Sequence, residues 1–168
     1  MTLQKLFLTF FGTGLAPKAP GTVGTLASLP LGVLILYTLG PSSLLMLTVA
    51  ITIVGIFETN KYEKTTGIHD HQIIVIDETA GVWLTMVITW YSLLSLPASW
   101  GPWLGLALSF ASFRLFDIWK PSTIGWIDRN MKGGAGVMLD DILAGLAAGL
   151  LNALILSSLG SWLKGVTA

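Results

Sequence analysis

The chain has 168 residues, no formal net charge and no cysteine, and charged residues make up only 11 % of it, against about 25 % in ordinary soluble domains; mean hydropathy is +0.76. A neutral chain lacks the basic footprint of a nucleic-acid binder. Absence of cysteine rules out disulfides, thiol nucleophiles and thiolate metal sites, and two histidines, His69 and His71, are too few for a three-histidine zinc site. What remains is a membrane-embedded class, in which carboxylates would hold any metal, favouring a hard ion such as Mg²⁺.

The length fits one domain over residues 1–168. Leu3, Leu6, Phe7, Phe10 and Phe11 follow helical spacing, which suits either a helix lying in the membrane interface or one packed on the core. Gly12 to Thr25 reads as a glycine- and proline-rich loop ahead of an apolar helix. Such a turn can cradle an anion, because free backbone N–H groups and the helix dipole both point at it. Lys18, Thr22 and Thr25 would add donors. A capped turn before a membrane helix is the plainer alternative, since the Gly-Lys-Ser/Thr triplet of a P-loop is missing.

Five apolar spans follow: about 22–39, interrupted by Pro30; 44–57, continuing as a helix until Gly67; 77–96; 103–119; and 140–163. Turns are expected at 40–43 and 97–102, and a polar stretch at 121–136. The predicted class is all-α, a multi-helix membrane-embedded bundle. Alternating spans put residues 1–21, 58–78 and 114–141 on one side, which then holds every acidic residue and every basic one except Lys164. The positive-inside rule makes that side cytoplasmic. Trp100, Trp103, Trp119 and Trp162 fall at span ends, as an aromatic belt would. The pattern Asp-x-x-Ala-Gly occurs at Asp77–Gly81 and again at Asp141–Gly145. Small Ala-Gly pairs allow close helix approach, so these two helices could cross with their aspartates adjacent.

The stretch Arg114–Gly145 carries eight of the eighteen charged residues. Asp77, Glu78, Asp117, Asp140 and Asp141 all lie at the cytoplasmic ends of apolar helices, where they would repel one another unless a cation joined them. One or two Mg²⁺ ions on these five residues would also take a phosphate monoester. Arg114, Lys120, Lys18 and Arg129 could hold its non-bridging oxygens. Either metal-activated water or a carboxylate such as Asp117 or Asp141 could attack phosphorus, and Gly133–Gly136 could form a lid. A structural ion-pair network is the alternative for the same residues.

Four segments, Pro20–Thr25, Ile76–Gly81, Phe113–Pro121 and Met138–Gly145, together resemble the phosphatidylglycerophosphatase A family over nearly the whole chain. The resemblance implies an Mg²⁺-dependent phosphatase of the bacterial inner membrane. Such an enzyme converts phosphatidylglycerophosphate to phosphatidylglycerol during anionic phospholipid synthesis. It implies site positions at Asp77, Glu78, Asp117, Lys120, Asp140 and Asp141, with lesser ones at Asp70 and Asp128. Catalysis is expected from Asp77, Asp117, Lys120 and Asp141. The expected partners are the phospholipid substrate and membrane lipid, with no nucleic acid and no obligate protein partner. Two other classes fit the composition: a transporter or channel using intramembrane carboxylates, and a non-catalytic phospholipid-binding subunit.

Overall fold

The computed structural model describes residues 1–94, 96 and 101–167, without the side chains at 101–102 and 164–167. Among these residues the protein is entirely helical: α1 (Leu3–Leu8), a 3-10 turn (Thr13–Leu15), α2 (Pro20–Leu39), α3 (Pro41–Thr66), α4 (Ile76–Leu93), α5 (Gly101–Trp119), α6 (Thr123–Asn130) and α7 (Gly133–Thr167).

Local chemistry sets the helix ends. Proline opens both α2 and α3, where its fixed φ suits the first helical turn and its missing N–H costs nothing. Gly67, at φ +72°, closes α3 in the left-handed conformation that lets a terminal carbonyl be satisfied. Helix α2 begins at Pro20, so the expected glycine loop is cut short. Gly21, Thr22, Gly24 and Thr25 are its first turns rather than an anion loop. Helix α7 likewise begins at Gly133, and the run Gly133–Gly136 is no lid. Gly134 donates its N–H to Asn60 Oδ1 at 2.9 Å, and a side chain there would collide with the Ile56 backbone of α3. The polar stretch 121–136 also holds a helix, α6, not expected from the sequence.

Helix α4 is the centre of the bundle. It packs on α7, α3, α2 and α5, and eleven of its eighteen residues are buried. Trp83 Nε1 donates to the Ser28 carbonyl of α2 at 3.0 Å, and Thr85 Oγ1 donates to the Gly145 carbonyl of α7 at 3.0 Å. Helix α1 is packed on this core through Leu8 and Phe10, the latter edge-on to Trp83, while Leu3 and Phe11 stay exposed.

Among the described residues, three helices are long and apolar enough to cross a membrane: Pro20–Leu39, Pro41–Thr66 and the Gly133–Leu163 part of α7. Their outer faces expose a continuous series of large apolar residues, including Leu34, Met46, Val49, Ile53, Phe57, Leu150 and Leu154. Contiguous apolar surface of this kind needs a cover other than water. The span expected at 44–57 continues as a helix to Thr66 and ends at Gly67, as its sequence suggested, and the one at 77–96 is the protein-covered core. An apolar run buried by neighbouring helices has the same composition as one facing lipid. Of the tryptophans expected in a belt, Trp103, Trp119 and Trp162 are exposed, and Trp100 lies outside the described residues.

Candidate active site

The two Asp-x-x-Ala-Gly segments are where α4 and α7 cross. A Cβ on Gly145 would strike the Gly81 carbonyl, and one on Gly81 would strike the Asp141 carbonyl and the Phe113 ring. Ala80 and Ala144 are fully buried beside them. One helical turn toward the N-terminus from each glycine stands an aspartate, Asp77 and Asp141. The backbone contact therefore sets the carboxylates together. Glu78 follows Asp77, its N–H donating to Asp77 Oδ1 at 3.0 Å. Oxygens of Asp77, Glu78 and Asp141, one from each, lie within 4.8 Å of one another.

Around this trio opens a cleft of about 310 Å³, lined by α2 through Pro20 and Gly21, by the 68–74 segment, and by the facing ends of α4, α5, α6 and α7. Gly21 has no side chain because Glu78 occupies the space where a Cβ would stand. Two cations line the cleft with the carboxylates. Arg114 Nη1 donates to Asp117, three residues on along α5, and Nη2 donates to Thr22 Oγ1 at 3.2 Å. Lys120 donates to Asp128 of α6 and, at 2.7 Å, to Asp140 of α7. Lys120 sits at φ +44° just past the end of α5, a conformation rare outside glycine that aims its side chain back between those two carboxylates.

Burial pulls the Lys120 ammonium toward neutrality, but its hydrogen bonds to Asp128 and Asp140 outweigh it and hold its pKa well above the ordinary lysine value. A raised lysine pKa gives stability that is complete below the unfolded value and is lost only as pH climbs through the folded one. Lys120 is therefore held as a cation across neutral pH. Lys120→Met should lower the melting temperature and cost about 1.5–3 kcal/mol, the usual worth of hydrogen bonds to charged groups. Thermal denaturation in detergent measures this; an unchanged melting point would mean that Asp128 and Asp140 do not depend on the ammonium.

The expected site residues separate into groups. Asp77, Glu78, Asp117, Lys120, Asp140, Asp141 and Arg114 all line the cleft, as do Asp70 and Asp128. Asp117 and Asp140 each hold a basic side chain, whereas Asp77, Glu78 and Asp141 have none among the described residues. Thr22 stands behind Arg114. Thr25 is buried and donates back to the Gly21 carbonyl at 2.7 Å, a consequence of the helix starting at Pro20. Lys18 and Arg129 are exposed and stand outside the lining. His69 and Gln72 also line the cleft and went unnoticed in the sequence. The signal was Glu63, whose Oε1 meets His69 Nδ1 at 2.7 Å and accepts from the Asp70 N–H at 3.0 Å, fixing that segment over the site.

The donor set fits a divalent ion. It is all oxygen, as a hard cation prefers. Glu78 Oε2 and Asp140 Oδ1 are buried with no hydrogen-bond partner, a costly state for a carboxylate oxygen unless a cation meets it. Asp77, Glu78 and Asp141 could hold such an ion, with Asp140 at its edge.

Comparison with known proteins agrees with this geometry. A family model for phosphatidylglycerophosphatase A matches residues 6–156. The chain is 42 % identical over 143 residues to phosphatidylglycerophosphatase A of Escherichia coli (strain K12), covering 84 % of this chain and 77 % of that protein. It is 38 % identical to the Haemophilus influenzae protein of the same name, over 82 % of this chain and 79 % of that one. It is 37 % identical to a Bacteroides thetaiotaomicron protein named as a candidate phosphatidylinositol-3-phosphatase, over 90 % of this chain and 92 % of that one. No solved structure matches. The matched region contains every residue lining the cleft, and the chain belongs to the phosphatidylglycerophosphatase A family.

Proposed function

We propose that this chain hydrolyses the terminal phosphate monoester of phosphatidylglycerophosphate, releasing inorganic phosphate and phosphatidylglycerol for anionic phospholipid synthesis. The carrying observation is the trio Asp77, Glu78 and Asp141 facing Arg114 and Lys120 across one cleft at the charged end of an apolar bundle. The names of the Escherichia coli and Haemophilus influenzae relatives support the same substrate.

In this reading Asp77, Glu78 and Asp141 would hold Mg²⁺, which would supply Lewis acidity toward the phosphate and toward water. The chain's own residues do the rest. Arg114 offers its guanidinium to the non-bridging oxygens, and Asp117 and Thr22 hold it in place. Lys120 places a second fixed positive charge on the α6–α7 side. The first turn of α2, at Pro20 and Gly21, forms one wall of the same cleft. Together these groups orient the monoester and stabilise charge that builds on it in the transition state. Asp117 and Asp141, both in the cleft lining, are the carboxylates we assign to activating water or attacking phosphorus.

The whole chain, residues 1–168, acts as one membrane domain. It is a multi-pass protein of the bacterial inner membrane with the cleft at the cytoplasmic headgroup level, as the charge asymmetry supports. Carboxylates gathered at one end disfavour a transporter, whose sites lie near the midplane. A second headgroup, a phosphoinositide monoester, has the support of the Bacteroides thetaiotaomicron relative.

Purified protein should release phosphate from phosphatidylglycerophosphate with Mg²⁺, and excess EDTA should stop it. Undiminished release in EDTA would overturn the metal assignment. Faster release from phosphatidylinositol-3-phosphate would move the substrate to the second headgroup, and tight headgroup binding without turnover would make the chain a binding subunit.

A further inference from the structure

A second cavity, of about 420 Å³, lies between the same three helices that frame one side of the acidic cleft. Helices α2 and α4 run side by side in the same direction and α5 runs back against them, as the close approaches Gly21–Glu78, Gly32–Met86, Gly81–Phe113 and Gly105–Leu93 require. Both α2 and α5 pack on α4, yet they touch each other at few points. That leaves a furrow with α4 as its floor. At one end of it stand Gly21, Glu78 and Arg114. At the other is the cavity, lined by apolar groups such as Val33, Leu36, Met86, Trp90 and Leu106. Its volume falls in the range of pockets that bind small ligands. Two of its lining residues, Tyr37 and Trp103, are 56 % and 80 % exposed, so it opens outward onto the apolar flank of the bundle.

We infer that this cavity seats an acyl chain of the phospholipid whose headgroup phosphate enters the cleft. The inference rests on the proposed lipid phosphatase reading and deepens it. Depth is its first support. From Glu78 to the lining residues Met86 and Leu93 is roughly 12 to 22 Å along α4 at 1.5 Å per residue. A bilayer's hydrocarbon core is about 30 Å thick, so one leaflet's chains occupy roughly 15 Å below the headgroups. A headgroup bound at the carboxylates therefore places its chains at the level of the cavity. Chemistry is the second support. The lining offers no charge to a ligand and is dominated by apolar side chains, and its Thr89 Oγ1 accepts from Asn152 Nδ2 at 2.9 Å. The occupant must be apolar and enter from the lipid side. A chain held there would orient the headgroup by its far end, so that binding energy remote from phosphorus serves positioning at phosphorus.

The test uses the full-length protein in vesicles of phosphatidylglycerol carrying a photoreactive diazirine midway along one acyl chain. Irradiation and peptide mapping should find adducts on Val33, Trp90 and Leu106. Adducts confined to the outer faces of α3 and α7, the pattern expected if a second copy of the chain covered the α2–α5 flank, would overturn the inference. In parallel, Val33→Trp and Leu106→Trp fill the cavity. Each should lower kcat/KM for long-chain phosphatidylglycerophosphate about tenfold, in the range by which apolar pockets discriminate, and leave the deacylated headgroup phosphate turned over at the unmodified rate. Equal losses on both substrates, or no loss on either, would also overturn it. An unmodified protein that hydrolyses neither substrate would overturn the phosphatase reading, while the adduct pattern would still decide whether the cavity holds an acyl chain.

Discussion

Asp77→Asn and Asp141→Asn should each reduce phosphate release by about 10²–10³-fold, the scale seen when a single group that stabilises transition-state charge is removed, and neither should unfold the protein. The two halves of this expectation come from one arrangement. Three carboxylates with oxygens inside 4.8 Å of one another repel strongly where water is scarce. Removing one charge relieves that repulsion. Asparagine keeps the shape, and its carbonyl oxygen can still accept the Glu78 N–H that Asp77 accepts now. Without a divalent ion, the melting temperature should therefore stay level or rise. Adding Mg²⁺ should stabilise the parent protein by mass action and the variants much less. Phosphate release and thermal melts with and without Mg²⁺ measure both halves. Turnover within a few-fold of the parent would remove the residue from the site. Lost turnover together with a collapsed melting point would make its role structural.

How far the sequence revealed this site depends on which physical signal each residue leaves. Charge is legible: in an apolar chain the carboxylates at 77–78 and 140–141 stand out, and the repeated Asp-x-x-Ala-Gly points to a crossing of α4 and α7. Helix ends are legible where Pro20, Pro41 and Gly67 mark them. Glycine is less so, because one residue type serves both mobile turns and close packing. Gly21 and Gly134 read as loop but lie against Glu78 and the Ile56 backbone inside helices. The surroundings of an apolar run leave no mark either, and α4 looked like a lipid-facing span when it is the bundle's centre. The short helix α6 stayed hidden between Pro121 and Lys132, since eight residues carry too little periodicity to register. The Arg114–Asp117 pair is legible, since the two stand three apart on one helix face, but long-range pairing is not. Nothing in the order of residues shows that Lys120 engages Asp128 and Asp140 while Asp77, Glu78 and Asp141 have no basic partner among the described residues. That division appears only once α6 and α7 fold back over the end of α5.

The crossing itself gives the sharpest test of how the fold serves the site. Gly145→Ala should lower activity by about 10²-fold, the cost of misplacing reacting groups by about 1 Å, with a much smaller effect on stability. The added methyl has nowhere to go, because it would meet the carbonyl oxygen, carbonyl carbon and Cα of Gly81. These are backbone atoms that cannot rotate aside, so α4 and α7 must separate. Overpacking of this kind costs about 1–3 kcal/mol, and the better helix propensity of alanine returns about 1 kcal/mol of it. The net loss of stability is therefore modest. The geometric loss is not, because Asp77 and Asp141 each stand one turn from the point where the helices are forced apart. Gly149→Ala is the control. Its methyl meets Ile88 Cδ1, Cβ and Cγ2, and the Cβ moves only with its backbone, so the helices part here too, but one turn further from the carboxylates, and activity should stay within a few-fold of the parent. Steady-state phosphate release and thermal melts on both variants decide the matter. Full activity in Gly145→Ala, or an equal loss in Gly149→Ala, would show that the Gly81–Gly145 contact does not set the spacing of the carboxylates.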